Sequence, residues 1–188
     1  MPVDVGKLLQ DSGAILKGHF QLASGRHSDV YFEKFRILEQ PKVLSALCAE
    51  IAGHFSDSSI DIVAGPTTGG IIIAFEVGRQ MGLQTRYAET ENGVKTLRRN
   101  AQVAPGTRVL IVDDVLTTGM SVMETAEALE AQGAEIAAIA VLIDRSNDFN
   151  PGAPFFAAYK VKAESFAPDE IPEWLAKIPV AQPGTRAT

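Results

Sequence analysis

The sequence predicts a doubly wound α/β fold, built on a mostly parallel sheet with helices on both faces and preceded by a small β-rich N-terminal segment. Three observations carry this. From Pro41 to about Arg145, short apolar runs of strand length alternate with longer stretches of helical apolar spacing, joined by short connections. The run Glu135–Ile143 is almost continuously apolar, as a strand buried on both faces is. The helical stretches close on glycine, Gly82 and Gly133, where a left-handed C-terminal cap is expected.

In chain order, Val3 to about Leu9 reads as a short helix, ended by the turn Ser12-Gly13. Two extended pieces follow, His19–Leu22 and Val30–Glu33, joined by the turn-like Ser24-Gly25-Arg26. Pro41 suits the first turn of a helix that runs to about Phe55. Ile60–Gly65 is then an apolar strand, Gly69–Met81 a helix and Gln84–Ala88 a strand. Glu89–Ala104 is polar and charged with no clean period, so it is either a long mobile loop or an extended hairpin. After the turn Pro105-Gly106 come a strand at Arg108–Val112, a helix at Ser121–Gln132 and the buried strand Glu135–Ile143. From Ala167 onward the prolines at 168, 172, 179 and 183 leave room for one short helix, Glu170–Ala176, in a surface-hugging tail.

The 188 residues suit a single domain, with an N-terminal segment at 1–40, an α/β core at 41–166 and a tail at 167–188. A net charge of −6 argues against a nucleic-acid partner, which needs a dense cationic face. Cys48 is the one cysteine, so an internal disulfide is excluded; it sits in the helical pattern Val43, Leu44, Leu47, Cys48, Ile51 and reads as a core residue. His19, His27 and His54 lack metal-ligand spacing. The N-terminus is neither basic nor apolar enough for a signal peptide, and no apolar run reaches the roughly 18 residues of a membrane span. The expectation is a cytoplasmic protein with no membrane contact.

The chemistry is carried by Val109–Val122, VLIVDDVLTTGMSV. An apolar strand ends in Asp113-Asp114, and Thr117-Thr118-Gly119-Met120-Ser121 turns the chain into a helix. Ligands of parallel α/β sheets bind beyond the carboxyl ends of the strands. A hydroxyl-and-glycine turn at a helix N-terminus offers free N–H groups and the positive end of the helix dipole, which is a phosphate cradle. Adjacent carboxylates before it are suited to accept hydrogen bonds from vicinal hydroxyls. An isolated Asp pair is explained as well by loop capping; the complete run is more specific. It is not a P-loop, since the Gly-Lys-Ser/Thr ending is absent.

VLIVDDVLTTGMSV closely resembles the signature by which type I phosphoribosyltransferases bind 5-phosphoribosyl-1-diphosphate (PRPP). The resemblance runs from about Gly13 to Arg145 and implies that family's fold, with the β-rich N-terminal segment as a hood. In that family the acids contact the ribose hydroxyls and the loop wraps the 5′-phosphate. The implied PRPP-binding residues are Asp113, Asp114, Val115, Leu116, Thr117, Thr118, Gly119, Met120 and Ser121. Further stretches resemble the orotate phosphoribosyltransferases. GAILKGHFQLASGRHSDVYFEKF is similar to their N-terminal segment, whose aromatic pair, here Tyr31 and Phe32, lies by the base. AGPTTGGIIIA resembles their diphosphate-side loop, here Thr67, Thr68 and Gly69. LIDRS matches the stretch whose arginine, here Arg145, reads the orotate carboxylate, and Thr117 matches a position that touches orotate. The ending AQPGTR resembles the tail of one bacterial and archaeal branch.

Residue by residue, Arg145 alone would read as a surface ion-pair residue, Tyr31 and Phe32 as packing, and Thr67–Gly70 as a tight turn. The resemblance implies instead a pentosyltransferase that makes orotidine 5′-monophosphate and diphosphate for pyrimidine biosynthesis. It further implies Mg²⁺ held mainly through PRPP rather than by a dedicated protein ligand set, and a homodimer whose mobile loop is shared between subunits. The sequence departs from the family in that loop, where Glu89-Thr90-Glu91 stands in place of an early lysine or arginine and the cations come later, at Lys95, Arg98 and Arg99. Lys95 and Arg98 are thus the candidate catalytic cations, reaching the diphosphate in the partner's site. Ala23 replaces a basic residue of some members, and Ile171-Pro172-Glu173-Trp174 replaces a Cys-Pro-Leu-Cys segment. Two rival readings are another type I enzyme acting on a purine base and a non-catalytic PRPP-sensing regulator.

Overall fold

The structure is a computed structural model and describes residues 4–22, 25–97, 101–146, 148–161 and 165–181. In chain order the elements are α1 (Val5–Asp11), β1 (Ile15–Gln21), β2 (His27–Phe32), α2 (Lys34–Leu38), α3 (Pro41–His54) and β3 (Ile62–Pro66). There follow α4 (Gly69–Met81), β4 (Gln84–Glu91), β5 (Val94–Leu97), β6 (Arg108–Leu116), α5 (Met120–Glu130), β7 (Glu135–Asp144), β8 (Phe155–Lys160), α6 (Glu173–Ala176) and β9 (Val180–Ala181). They form two compact units, residues 44–161 and residues 1–43 with 162–188. No helix among the described residues is long and apolar enough to cross a membrane.

The larger unit holds a six-stranded sheet in the order β5-β4-β3-β6-β7-β8, parallel throughout except for β5. Strand pleating divides its side chains between two faces. Ile62, Ala64, Val109, Ile111, Ile139 and Val141 form one face and pack with Val122, Ala126 and Leu129 of α5. The alternate residues, among them Val63, Leu110 and Val112, are fully buried on the other face, where α4 lies along β3, β4 and β6. The doubly wound expectation and the bounds of the helix Gly69–Met81 agree with the structure. β8 escaped the sequence reading: it is an edge strand whose residues are at best half-buried, so its apolar run shows no clean period.

The polar segment after Ala88 is the hairpin of the two alternatives. β4 continues to Glu91 and β5 returns antiparallel through Asn92 and Gly93, at φ 52° and 82°. Positive φ at both central residues is the two-residue turn for which Asn-Gly is the preferred pair. Its register sets Glu91 against Val94, Thr90 against Lys95 and Glu89 against Thr96.

The smaller unit is a three-stranded sheet, β2-β1-β9, in which β9 of the tail runs parallel to β1. Of the described tail residues, Val180 and Ala181 pair into this sheet, while most of the others are exposed. His27 and Phe166 exchange backbone hydrogen bonds of 2.9 and 2.8 Å. The buried rings of His19 and His27 meet at 2.7 Å, Nε2 to Nδ1, and His19 Nδ1 lies 3.0 Å from the Ile178 carbonyl. For neutral rings this sets one proton order: His19 Nδ1–H donates to Ile178, and His27 Nδ1–H donates to His19. An open edge on β1 is satisfied in this way by the end of the same chain.

Candidate active site

β6 carries Asp113 and Asp114 to its carboxyl end, where they are 9 % and 7 % exposed. Each nearly buried carboxylate accepts a backbone N–H: Asp113 Oδ1 from Asp114 at 2.8 Å, and Asp114 Oδ1 from Val115 at 2.6 Å. Pleating sends them to different faces. Asp113 follows Val109 and Ile111 toward α5 and lines a hollow of about 280 Å³. Asp114 turns to α4, so close to Gly69 that a Cβ there would lie 3.0 Å from its Cγ and closer still to Oδ2. The adjacent acids thus lie beside two different loops.

Val115 through Ser121 also line the hollow. Thr117 and Thr118 are exposed, and Thr118 Oγ1 accepts the Met120 N–H at 3.3 Å. Gly119 is the N-cap of α5, at φ 79°, a conformation open to glycine and strained for other residues. The first turn of α5 therefore presents the positive end of its dipole at the carboxyl end of the sheet, a setting that suits an anion. On the other face, Thr67 donates its N–H to the Ala88 carbonyl at 2.9 Å, the Thr67–Thr68 peptide is cis, and Thr68 caps α4.

Lys95 lines the same hollow of its own chain, opposite its strand partner Thr90. Glu89 and Glu91 alternate with Thr90 and so take the opposite face of the hairpin. The acidic start of this segment consequently does not oppose the cradle. Arg98 lies outside the described residues, as do Arg99, Ala23 and all of the AQPGTR ending after Ala181.

Arg145 leaves β7 half-buried, with its N–H on the Leu116 carbonyl at 2.8 Å, next to the cradle loop. Before it, the buried carboxylate of Asp144 accepts from the Ser146 N–H at 2.8 Å and the Ser146 hydroxyl at 2.6 Å, with Lys160 at 3.3 Å. Tyr31 and Phe32 belong to the smaller unit. The Tyr31 ring lies 5.7 Å from that of Phe20, and Phe32 is a core residue at 6 % exposure. Sequence reasoning missed Thr90, Glu124 and Phe149. Thr90 and Glu124 line the hollow, and the Phe149 ring edge covers Gly119. An Asn-Gly turn counted outward pairs Thr90 with Lys95, so that residue had a readable signal; Phe149 had none.

A larger hollow of about 460 Å³ opens at the amino ends of the strands, between Phe55, Ser59, Arg108 and Pro154. It holds no acid pair or helix N-terminus, and its one cation is bound to the Ser59 carbonyl at 2.6 Å and Glu135 at 3.4 Å.

A parallel sheet whose central strand delivers two buried acids into a hydroxyl-and-glycine turn at a helix N-terminus defines a sugar-phosphate-binding α/β protein. The family described as phosphoribosyl transferase domain matches residues 36–151. Orotate phosphoribosyltransferase of Chlorobaculum parvum is 43 % identical over 96 % of this chain and 94 % of its own length. That of Pelotomaculum thermopropionicum is also 43 % identical, over 97 % of each chain. The crystal structure of orotate phosphoribosyltransferase from Aeropyrum pernix superposes with a TM-score of 0.69 at 28 % identity, over 84 % of this chain and 94 % of that one. The chain belongs to the phosphoribosyltransferase family and, within it, to the orotate phosphoribosyltransferases.

Proposed function

We propose that the chain transfers the 5-phosphoribosyl group of PRPP to orotate, giving orotidine 5′-monophosphate and diphosphate, a step of pyrimidine biosynthesis. The observation that carries this reading is one hollow lined by Asp113, the Thr117–Ser121 turn and Lys95, with the Arg145 backbone bonded to its wall at Leu116. The 5′-phosphate sits on the N–H groups of the turn, and Asp113 and Asp114 accept from the ribose hydroxyls. Thr67, Thr68 and Gly69 face the diphosphate. Arg145 pairs its guanidinium fork with the orotate carboxylate, beside Thr117.

The bond from the anomeric carbon to the diphosphate oxygen breaks, and the diphosphate leaves with the electron pair. The ring nitrogen of orotate supplies the electron pair of the new bond and releases its N–H proton to solvent. Lys95 offsets negative charge as it gathers on the diphosphate, an interaction strongest in the transition state. Asp113 and Asp114 would help to hold a Mg²⁺ ion carried mainly by PRPP, and that ion would offset leaving-group charge. A homodimer in the cytoplasm is the setting that the resemblance implies.

The test is the fall in orotate absorbance when PRPP and Mg²⁺ are added to the protein. Turnover of orotate with adenine, hypoxanthine and uracil left unused is the expected result. Preference for any of those bases overturns the assignment of the base, and PRPP binding without turnover of any base identifies a PRPP-sensing regulator.

A further inference from the structure

We infer that Phe149 is a positioning residue for the transfer reaction: its ring wedges the phosphate turn at Gly119 and ties it to the base-reading segment that begins at Arg145. A Cβ built on Gly119 would fall against the ring edge, 2.6 Å from Cδ2 and 3.0 Å from Cζ, with Cε2 nearer still. Glycine at φ 79° has many conformations open to it when unconfined. Here one side of its backbone is closed by an aromatic ring.

The ring itself is held. It packs edge-on against Phe155 at the start of β8, with centroids 5.2 Å apart and planes at 74°. It also rests on the core cluster that contains Val122 and Ala126 of α5. Arg145 and Phe149 therefore meet the cradle loop at two points: the Arg145 N–H on the Leu116 carbonyl at 2.8 Å, and the Phe149 ring on Gly119. On the Arg145 side, Asp144 holds Ser146 through two hydrogen bonds. Donors that hold a phosphate lose most of their value when displaced by an ångström, so a turn built around a glycine needs such a support.

The inference rests on the phosphate role of the Thr117–Ser121 turn. Phe149→Ala removes one of the two points and leaves the Arg145 bond in place. Its expected signature is a loss of affinity for ribose 5-phosphate of about tenfold by calorimetry, about 1.4 kcal/mol, with a parallel rise in the KM for PRPP. The KM for orotate and kcat should change by less than about threefold, because Arg145 keeps its own anchor. Phe149→Leu, which still fills the space over Gly119, should restore affinity to within about twofold of the original protein. Ribose 5-phosphate affinity unchanged in Phe149→Ala overturns the inference, as does an equal loss toward both substrates that Phe149→Leu fails to rescue. Should Phe149→Ala not fold, Phe149→Leu and Phe149→Val are compared instead; the shorter side chain must bind ribose 5-phosphate more weakly, and equal affinity overturns the inference. Unmodified protein that binds ribose 5-phosphate but leaves orotate unused sinks the proposed reaction while the Phe149 comparison still stands; unmodified protein that binds neither ribose 5-phosphate nor inorganic phosphate sinks both.

Discussion

Arg145 is fixed by its own backbone N–H to the Leu116 carbonyl, so its side chain starts from a defined point beside the Thr117–Ser121 turn. Loss of an arginine–carboxylate pair at a partly desolvated site costs about 1.5–3 kcal/mol, and Arg145→Ala should raise the KM for orotate roughly ten- to a hundredfold with that for PRPP little changed. Steady-state kinetics in both substrates check this; equal effects would make Arg145 a structural residue. Asp113 and Asp114 each hold a backbone N–H through one oxygen. Asparagine keeps such an oxygen and loses the charge. The double variant Asp113→Asn, Asp114→Asn should therefore fold as before and bind PRPP at least a hundredfold more weakly, a loss of about 2.7 kcal/mol or more by calorimetry. Cys48 is the contrary case: burial first, and the nearby Glu76 charge second, push its thiol up to about 12, so it is an inert core residue as its helical setting implied.

Between elements, α3 and α4 are joined by a polar clip around Glu76. Its carboxylate accepts from Ser45 Oγ at 2.7 Å, Arg79 Nε at 2.8 Å and Gln80 Nε2 at 2.7 Å. The Arg79 hydrogen bond first, then those of Gln80 and Ser45, hold the carboxyl at about 2 against the opposing effect of burial. A carboxyl depressed by folding stabilises the protein fully above its ordinary value of 4.5 and loses that contribution as pH falls toward about 2. Glu76→Gln should be less stable than the original protein at pH 7 by about 1 kcal/mol, a modest figure because the Arg79 partner is half-exposed and screened. The gap should close as pH is lowered through that window, which urea denaturation at a series of pH values would show. A constant gap would mean that side-chain shape, not charge, holds the clip.

At the scale of the molecule, the hairpin places Lys95 at the hollow of its own chain. The resemblance implied a loop lent across a dimer, and we propose instead that Lys95 acts in the hollow it lines in its own chain. Lys95→Ala should lower kcat at least tenfold, about 1.4 kcal/mol of transition-state stabilisation, with PRPP affinity little changed. Mixing Lys95→Ala subunits with Asp113→Asn, Asp114→Asn subunits should then restore no activity, since every chain lacks one part of its own site. Recovery of activity on mixing would show that the cation is supplied in trans.

The sequence by itself determined the α/β class, the bounds of the Gly69–Met81 helix and the position of the Asp113–Ser121 cradle. These depend on local information: apolar runs of strand length, glycine caps, and acids and hydroxyls at a strand end. The Asn-Gly turn also held the register of Thr90 with Lys95, although the charge of Glu89 and Glu91 obscured it. Only the tertiary structure decided that Asp114 faces the Gly69 turn, that β9 closes the edge of β1, and that Phe149 covers Gly119. Each of these joins residues from 30 to about 160 positions apart. No local period encodes such a pairing; it follows from which side chains fill the same space once the strands and helices have packed.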